Sequence, residues 1–125
     1  MKAEVLAHLH DIVQAGKGVK GFVAGRTFDS YSSDELLRSA VERKLGIIGE
    51  ALARIHRDEP GILQQIRDHR DIISFRNILV HGYDAIDDQI VWGVIEDDLD
   101  NLLEDVERLL REYQDQTTES DTTSG

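Results

Sequence analysis

Residues 95–113, which read IEDDLDNLLEDVERLLREY, contain the most regular apolar pattern of the chain. Their apolar residues recur at intervals of three and four, at Ile95, Leu99, Leu102, Leu103, Val106, Leu109, Leu110 and Tyr113. This spacing places them on one stripe of an α-helix, with the charged residues between them on the opposite face. The stretch therefore predicts an amphipathic helix that packs against other helices.

Two earlier segments show the same helical spacing. The first covers about residues 2–25, and we read its Gly16-Lys17-Gly18 run as a surface irregularity. A connection over Arg26–Tyr31 leads to the second, which covers about residues 32–57 with Leu36 and Leu37 in its apolar set. Ser32 is predicted to cap this helix, with Glu35 reaching back to the cap.

The single proline, Pro60, ends the second helix. A third helical segment follows over about residues 62–81, ending at Gly82 as a left-handed cap, and Asp84–Gln89 is predicted as a turn. No stretch reads as a strand. We predict an all-α, up-and-down bundle of four to five helices over residues 1–113, followed by a disordered polar tail over residues 114–125.

Composition limits the chemistry that the chain can perform. The 125 residues suffice for one domain, and the absence of cysteine excludes disulfides, thiolate metal sites and cysteine nucleophiles. The histidines and acids show no metal-ligand spacing, so neither metal nor cofactor is expected. The N-terminus does not read as a signal peptide and no stretch is long and apolar enough to span a membrane, so we expect a cytoplasmic protein without a membrane partner.

The formal net charge is −11, which taken alone argues against a nucleic-acid-binding protein. The charge is uneven along the chain, because residues 84–105 contain many acids and no base, whereas residues 61–83 are more basic. The acidic stretch is compatible with a solvated face and equally with a docking surface for a basic partner.

One segment places Arg, Asn, His and Tyr side chains, which could carry chemistry, together among apolar residues: Arg76-Asn77-Ile78-Leu79-Val80-His81-Gly82-Tyr83. Asn77 and His81 are four residues apart and share a helix face. Arg76 and His81 lie about 140° apart around an ideal helix. They can converge only through a bent helix end, through long side chains or through a second copy of the chain.

This cluster resembles the signature of HEPN-domain toxins, specifically of the HepT branch. The HEPN signature is an arginine and a histidine separated by four to six residues, the first of which is usually polar, and the HepT branch adds a tyrosine two positions after the histidine. Gly49-Glu50-Ala51 and Ile90-Val91-Trp92 also resemble this family, so the likeness covers roughly Met1 to Tyr113. Asp100 departs from it, because many relatives have a proline there.

The resemblance implies a toxin endoribonuclease that cuts RNA without metal, through attack of a 2′-hydroxyl on the adjacent phosphate. Arg76 would stabilise the phosphate charge, His81 would transfer a proton, and Asn77 would orient His81 or donate to the phosphate. Each chain then supplies one histidine, and the family implies a homodimer with the site at its seam. Glu50 either supports the site by pairing with Arg76 or is a surface residue.

The resemblance also implies a partner, an MNT-type nucleotidyltransferase antitoxin that transfers AMP to the motif tyrosine, Tyr83. Two other functions stay open: a non-catalytic HEPN-like subunit that binds a nucleotide or a partner protein, and an inactive dimerisation subunit of a nucleotidyltransferase complex. These residues also have ordinary structural explanations. His81 would be a histidine at a helix C-terminus favoured by the dipole, Tyr83 a packing residue and Trp92 a core anchor.

Overall fold

The computed structural model describes residues 2–67 and 87–124, with side chains described up to residue 114. These residues form helices and no strand, which confirms the prediction of an all-α fold. The helices are α1 (Ala3–Val23), α2 (Phe28–Ser32), α3 (Glu35–Asp58), α4 (Pro60–Leu63), α5 (Asp88–Gly93) and α6 (Leu99–Ser124), with a π-helical segment (Val94–Asp98) joining α5 to α6.

Helix α1 lies between α3 and α6, and it runs antiparallel to both. Its start is beside the end of α3, where the backbone N–H of Lys2 donates to Glu59 Oε1 at 3.1 Å. Near its end, Lys20 Nζ lies 2.6 Å from Asp100 Oδ1 in the first turn of α6. This up-and-down order buries one core, to which the three helices contribute Val5, Leu9, Ile12, Val19, Val41, Leu45, Ile48, Leu52, Leu99, Leu102, Val106 and Leu109.

Helix α1 packs on α6 at Gly16, which corrects the prediction of a surface irregularity there. Gly16 is buried, and a Cβ atom on it would lie 2.5 Å from Leu103 Cδ2. The missing side chain makes room for Leu103, which is why glycine is accommodated within this helix despite its cost to helix stability.

The start of α3 also differs from the sequence prediction. The Thr27 side chain accepts from the Ser30 N–H, and the Ser30 hydroxyl in turn accepts from the Thr27 N–H. This capping box begins helix α2 inside the predicted connection Arg26–Tyr31, so Ser32 ends α2 instead of starting α3. Asp34 is the cap of α3, because its carboxylate accepts from the Leu37 N–H at 3.0 Å.

Pro60 separates α3 from α4 as the sequence predicts, and it occupies the first turn of α4, where its missing N–H costs nothing. Residues 64–67 form turns, and the rest of the helix predicted to continue to His81 lies outside the described residues.

The predicted turn Asp84–Gln89 is corrected at its end. Helix α5 already begins at Asp88, because the Asp87 carboxylate accepts from the Gln89 N–H at 2.9 Å and caps it. Helix α6 has the predicted apolar stripe and is assigned through Ser124. The division into a domain of residues 1–113 and a disordered tail stays a prediction.

Candidate functional site

Four of the five predicted site residues lie outside the described residues: Arg76, Asn77, His81 and Tyr83. Their roles therefore stay predictions. The fifth, Glu50, lies on α3 and is half-buried. Three described residues can be related to the predicted site: Glu50 itself, and Arg67 and Asp87, which flank residues 68–86 in the sequence.

Glu50 lines a groove between α1 and α3 with a volume of about 400 Å³. The α3 side is one helical face, since its residues recur at intervals of three and four. The lining residues are His8 and Asp11 from α1, and Arg43, Gly46, Ile47, Glu50, Ala51 and Arg54 from α3. The sequence singled out Glu50 alone among them.

The charged groups of this groove are unequally paired. Glu50 Oε1 lies 3.3 Å from Arg54 Nε, so these two charges offset each other. Arg43 is exposed and forms no ion pair with any residue of the described ranges. Gly46 leaves the middle of the groove open, because a Cβ atom there would meet nothing within 4 Å. An open groove with an unpaired guanidinium is suited to bind an anionic group.

A second feature, which the sequence analysis missed, is the buried carboxylate of Asp105 on α6. It is 1 % exposed and accepts three hydrogen bonds from Arg67: 2.8 Å from the backbone N, 3.1 Å from Nε and 3.0 Å from Nη2. Arg108 Nη1 also lies 3.5 Å from Asp105, and Arg108 Nη2 donates to the Gln65 carbonyl at 2.9 Å. Helix α6 thereby holds the turn that leads into the predicted motif segment.

The ionised form of Asp105 is the stable one in this setting. Burial opposes ionisation, but the hydrogen bonds from Arg67 and the charges of Arg67 and Arg108 outweigh it and hold the pKa of Asp105 below its usual value. The signal for this role was present in the sequence, since Asp105 stands within the apolar stripe beside Leu102, Val106 and Leu109, where an acid needs a partner.

Trp92 packs in the structure as the sequence analysis favoured. Its ring centroid lies 5.3 Å from that of Tyr31 and 6.5 Å from that of Phe28, so it joins α5 to α2. Burial, followed by the charges of Glu42 and Asp88, raises the pKa of the Tyr31 phenol well above its usual value. Tyr31 is therefore a neutral core residue, and Trp92 packs against the core as a partly buried anchor.

Among residues 2–67 and 87–124, no three histidine, aspartate or glutamate side chains come close enough to hold a metal ion. Within the same ranges no helix combines the length and apolarity that crossing a membrane requires.

Comparison with known proteins adds to this geometry. The family model described as ribonuclease HepT-like matches residues 12–109, which is most of the chain. The chain belongs to the ribonuclease HepT-like family. The matched region contains the Arg76–Tyr83 cluster, Gly49-Glu50-Ala51 and Ile90-Val91-Trp92, and the match confirms the resemblance to HepT-like HEPN proteins that was read from them.

Individual relatives of this HepT-like chain agree with the family match. A proposed RNase of Methanocaldococcus jannaschii is 30 % identical over 106 residues, covering 85 % of this chain and 96 % of the relative. A second one from that organism is 27 % identical, covering 90 % and 93 %. A proposed ribonuclease HepT of Thermococcus cleftensis is 29 % identical, covering 87 % and 98 %. No solved structure matches the chain significantly.

Proposed function

We propose that the chain is a toxin endoribonuclease of a toxin–antitoxin system that cleaves RNA without a metal ion. The observation that carries the proposal is the Arg76-Asn77-x-x-x-His81-x-Tyr83 motif in a chain of the ribonuclease HepT-like family. The names of the relatives from Methanocaldococcus and Thermococcus, which refer to RNases, support it.

In this mechanism the 2′-oxygen of the substrate attacks the adjacent phosphorus and the 5′-oxygen leaves. The products are a 2′,3′-cyclic phosphate and a 5′-hydroxyl, so water is not a reactant in this step, and protein side chains take the roles that a metal would have. His81 serves as one proton carrier, because a histidine side chain in water titrates near neutrality, at about pH 6.5. Arg76 binds two oxygens of the charged phosphorane, and Asn77 orients His81 or donates to the phosphate.

The second proton carrier is best supplied by another chain, because each chain contributes one motif histidine. We therefore propose that the active protein is a homodimer with the site at its seam. Glu50 fits a supporting role, since its half-buried carboxylate already pairs with Arg54 at 3.3 Å, and we propose that it also orients a cationic site residue such as Arg76.

The proposed partner is an MNT-type nucleotidyltransferase antitoxin that transfers AMP to Tyr83. An added nucleotide would bring bulk and negative charge next to Arg76, which excludes the RNA phosphate. The surface offered to a basic antitoxin is the acidic stretch from α5 into α6, where residues 87–104 contain seven acids and no base.

The test is cleavage of varied RNAs in EDTA by the parent chain and its His81→Ala variant, after intact-mass measurement has excluded AMP on Tyr83. We expect the parent to cut and His81→Ala to lose at least about a hundredfold in rate, the usual contribution of an acid–base residue. The control is His10→Ala, which removes an exposed histidine of α1. Equal loss in both variants would contradict a catalytic role for His81.

The net charge of −11 favours a second candidate, a non-catalytic HEPN-like subunit that binds a nucleotide or a partner protein. In that case Arg76 and Tyr83 contact the ligand and His81→Ala leaves toxicity in cells unchanged. Absence of cleavage by unmodified dimeric protein, together with toxicity that survives His81→Ala, would favour this function over the nuclease.

A further inference from the structure

The groove between α1 and α3 has the size and shape of a site for one nucleotide. Ligand sites of small molecules are usually about 300–1,000 Å³ in volume, and this groove has about 400 Å³. Ile47 and Ala51 give it an apolar floor against which a base can lie. Gly46 keeps it open between these residues and Arg43.

The charges on helix α3, which forms one wall of the groove, suit an anionic ligand better than those of the acidic stretch from α5 into α6. Between Arg38 and Arg57, helix α3 has five arginines and lysines against two glutamates. Residues 87–104, the acidic stretch, have in contrast seven acids and no base. A phosphodiester that approaches this acidic protein therefore meets less repulsion on α3 than on the acidic stretch.

Within the groove, Arg43 is the group best placed to bind a phosphate. Arg54 already pairs with Glu50 at 3.3 Å, whereas Arg43 has no ion-pair partner among the described residues. An arginine fork donates two parallel hydrogen bonds to phosphate oxygens. Asp11 lies across the groove on α1 and opposes such a ligand by its negative charge.

We propose that this groove binds one nucleotide of single-stranded RNA, with its phosphate on Arg43 and its base on Ile47. The proposal rests on the proposed ribonuclease function, and it assigns a substrate subsite to residues outside the Arg76–Tyr83 motif. Glu50 connects the two, because it lines the groove and is also the predicted support of the motif.

The first experiment measures binding of a fluorescent 2′-O-methyl RNA oligonucleotide, which lacks the attacking hydroxyl and stays intact. Arg43→Gln should weaken binding about tenfold. It should also make the plot of the log association constant against log salt concentration less steep by about 0.7, the value for one phosphate contact on a single strand. Arg111→Gln, which removes an exposed arginine of α6, is the matched control and should change binding less than about twofold. Equal effects of the two variants would overturn the proposal.

Two further variants test the groove without deleting its cation. Asp11→Asn removes the opposing charge and should tighten binding severalfold, whereas the same change at exposed Asp97 should have little effect. Gly46→Leu fills the groove and should abolish binding at this subsite, whereas Gly21→Leu on α1 also meets open space and should not. Binding that survives Gly46→Leu would overturn the proposal.

Cleavage and self-association distinguish this proposal from its alternatives. If the parent binds through Arg43 but does not cleave in EDTA, the subsite stands and the nuclease function fails. If the parent cleaves and Arg43→Gln has an unchanged KM, the nuclease stands and the subsite is overturned. If Gly46→Leu converts a dimer into monomers in sedimentation equilibrium, the groove is an interface between chains, which also overturns the subsite.

Discussion

The carboxylate of Asp105 should stabilise the fold more than any exposed acid of the described chain. Asp105→Asn keeps the size of the side chain and one acceptor oxygen but removes its charge. The variant therefore weakens the bonds from Arg67 Nε and Nη2 and the ion pair with Arg108. The matched control is Asp97→Asn, which makes the same chemical change at an exposed position.

The magnitude follows from how deeply each partner is buried. Removing one partner of a fully buried ion pair costs about 3–5 kcal/mol. The Arg67 side chain is 53 % exposed, so water solvates the guanidinium in the variant and reduces the cost to about 2–3 kcal/mol. For a chain of this length that corresponds to a decrease in Tm of about 8–12 °C.

The assay is thermal and urea unfolding of the full chain, followed by circular dichroism. The pH dependence of the unfolding free energy shows which protonation state of Asp105 stabilises the fold. Because the folded-state pKa of Asp105 is below its unfolded value of about 3.9, its contribution is present above that pH and is lost as the pH falls through the folded-state pKa. The difference between parent and Asp105→Asn should therefore shrink below about pH 4. A Tm of Asp105→Asn within about 2 °C of that of Asp97→Asn would refute the reasoning.

Three further predictions concern the helices that hold the groove. Glu42→Gln should stabilise the fold at neutral pH and lose that effect at low pH, because burial and Asp88 raise the pKa of Glu42; equal unfolding curves for parent and variant at pH 7 would contradict this. Gly16→Ala should destabilise the fold by about 1 kcal/mol, since the cost of overpacking against Leu103 exceeds the gain in helix propensity. Gly21→Ala meets no neighbour and should stabilise the fold by about 0.5–1 kcal/mol. Urea unfolding that shifts in the same direction for both variants would contradict this prediction. Trp92→Ala should cost about 2–4 kcal/mol in the same assay through lost packing on Tyr31, and an unchanged midpoint would contradict it.

The parts of the fold that periodicity determines were predictable from the sequence. Ile95, Leu99, Leu102 and Val106 recur at helical spacing and are all buried, because the amphipathic stripe of the π-helical segment and α6 faces the core. The break at Pro60 was predictable for an equally local reason, the missing N–H of proline.

Features that depend on tertiary packing were not predictable from the sequence. Leu36 was placed in the apolar stripe of α3 but is 81 % exposed, because the buried face runs through Leu37, Val41 and Leu45 and adjacent residues of a helix point about 100° apart. Gly16 looked irregular only because its neighbour Leu103 is 87 positions further along the chain. The ion pair of Arg67 with Asp105 also joins distant positions, and no local pattern indicates which partner a buried acid will find.

The candidate site likewise has a part that was predictable from local sequence pattern and a part that depends on tertiary packing. The spacing of Arg76, Asn77, His81 and Tyr83 indicated the family, and the family match confirms that resemblance. Spacing within one segment contains no information about Arg43, which becomes part of the candidate site only because α1 packs beside α3 and forms a groove.

The most direct test of the proposed chemistry is mass spectrometry of the RNA fragments that the purified chain produces in EDTA. Attack by the 2′-hydroxyl predicts a 2′,3′-cyclic phosphate on one fragment and a 5′-hydroxyl on the other, with both absent when His81 is alanine. Fragments that end in 3′-hydroxyl and 5′-phosphate groups would show that water is the nucleophile and would contradict the mechanism.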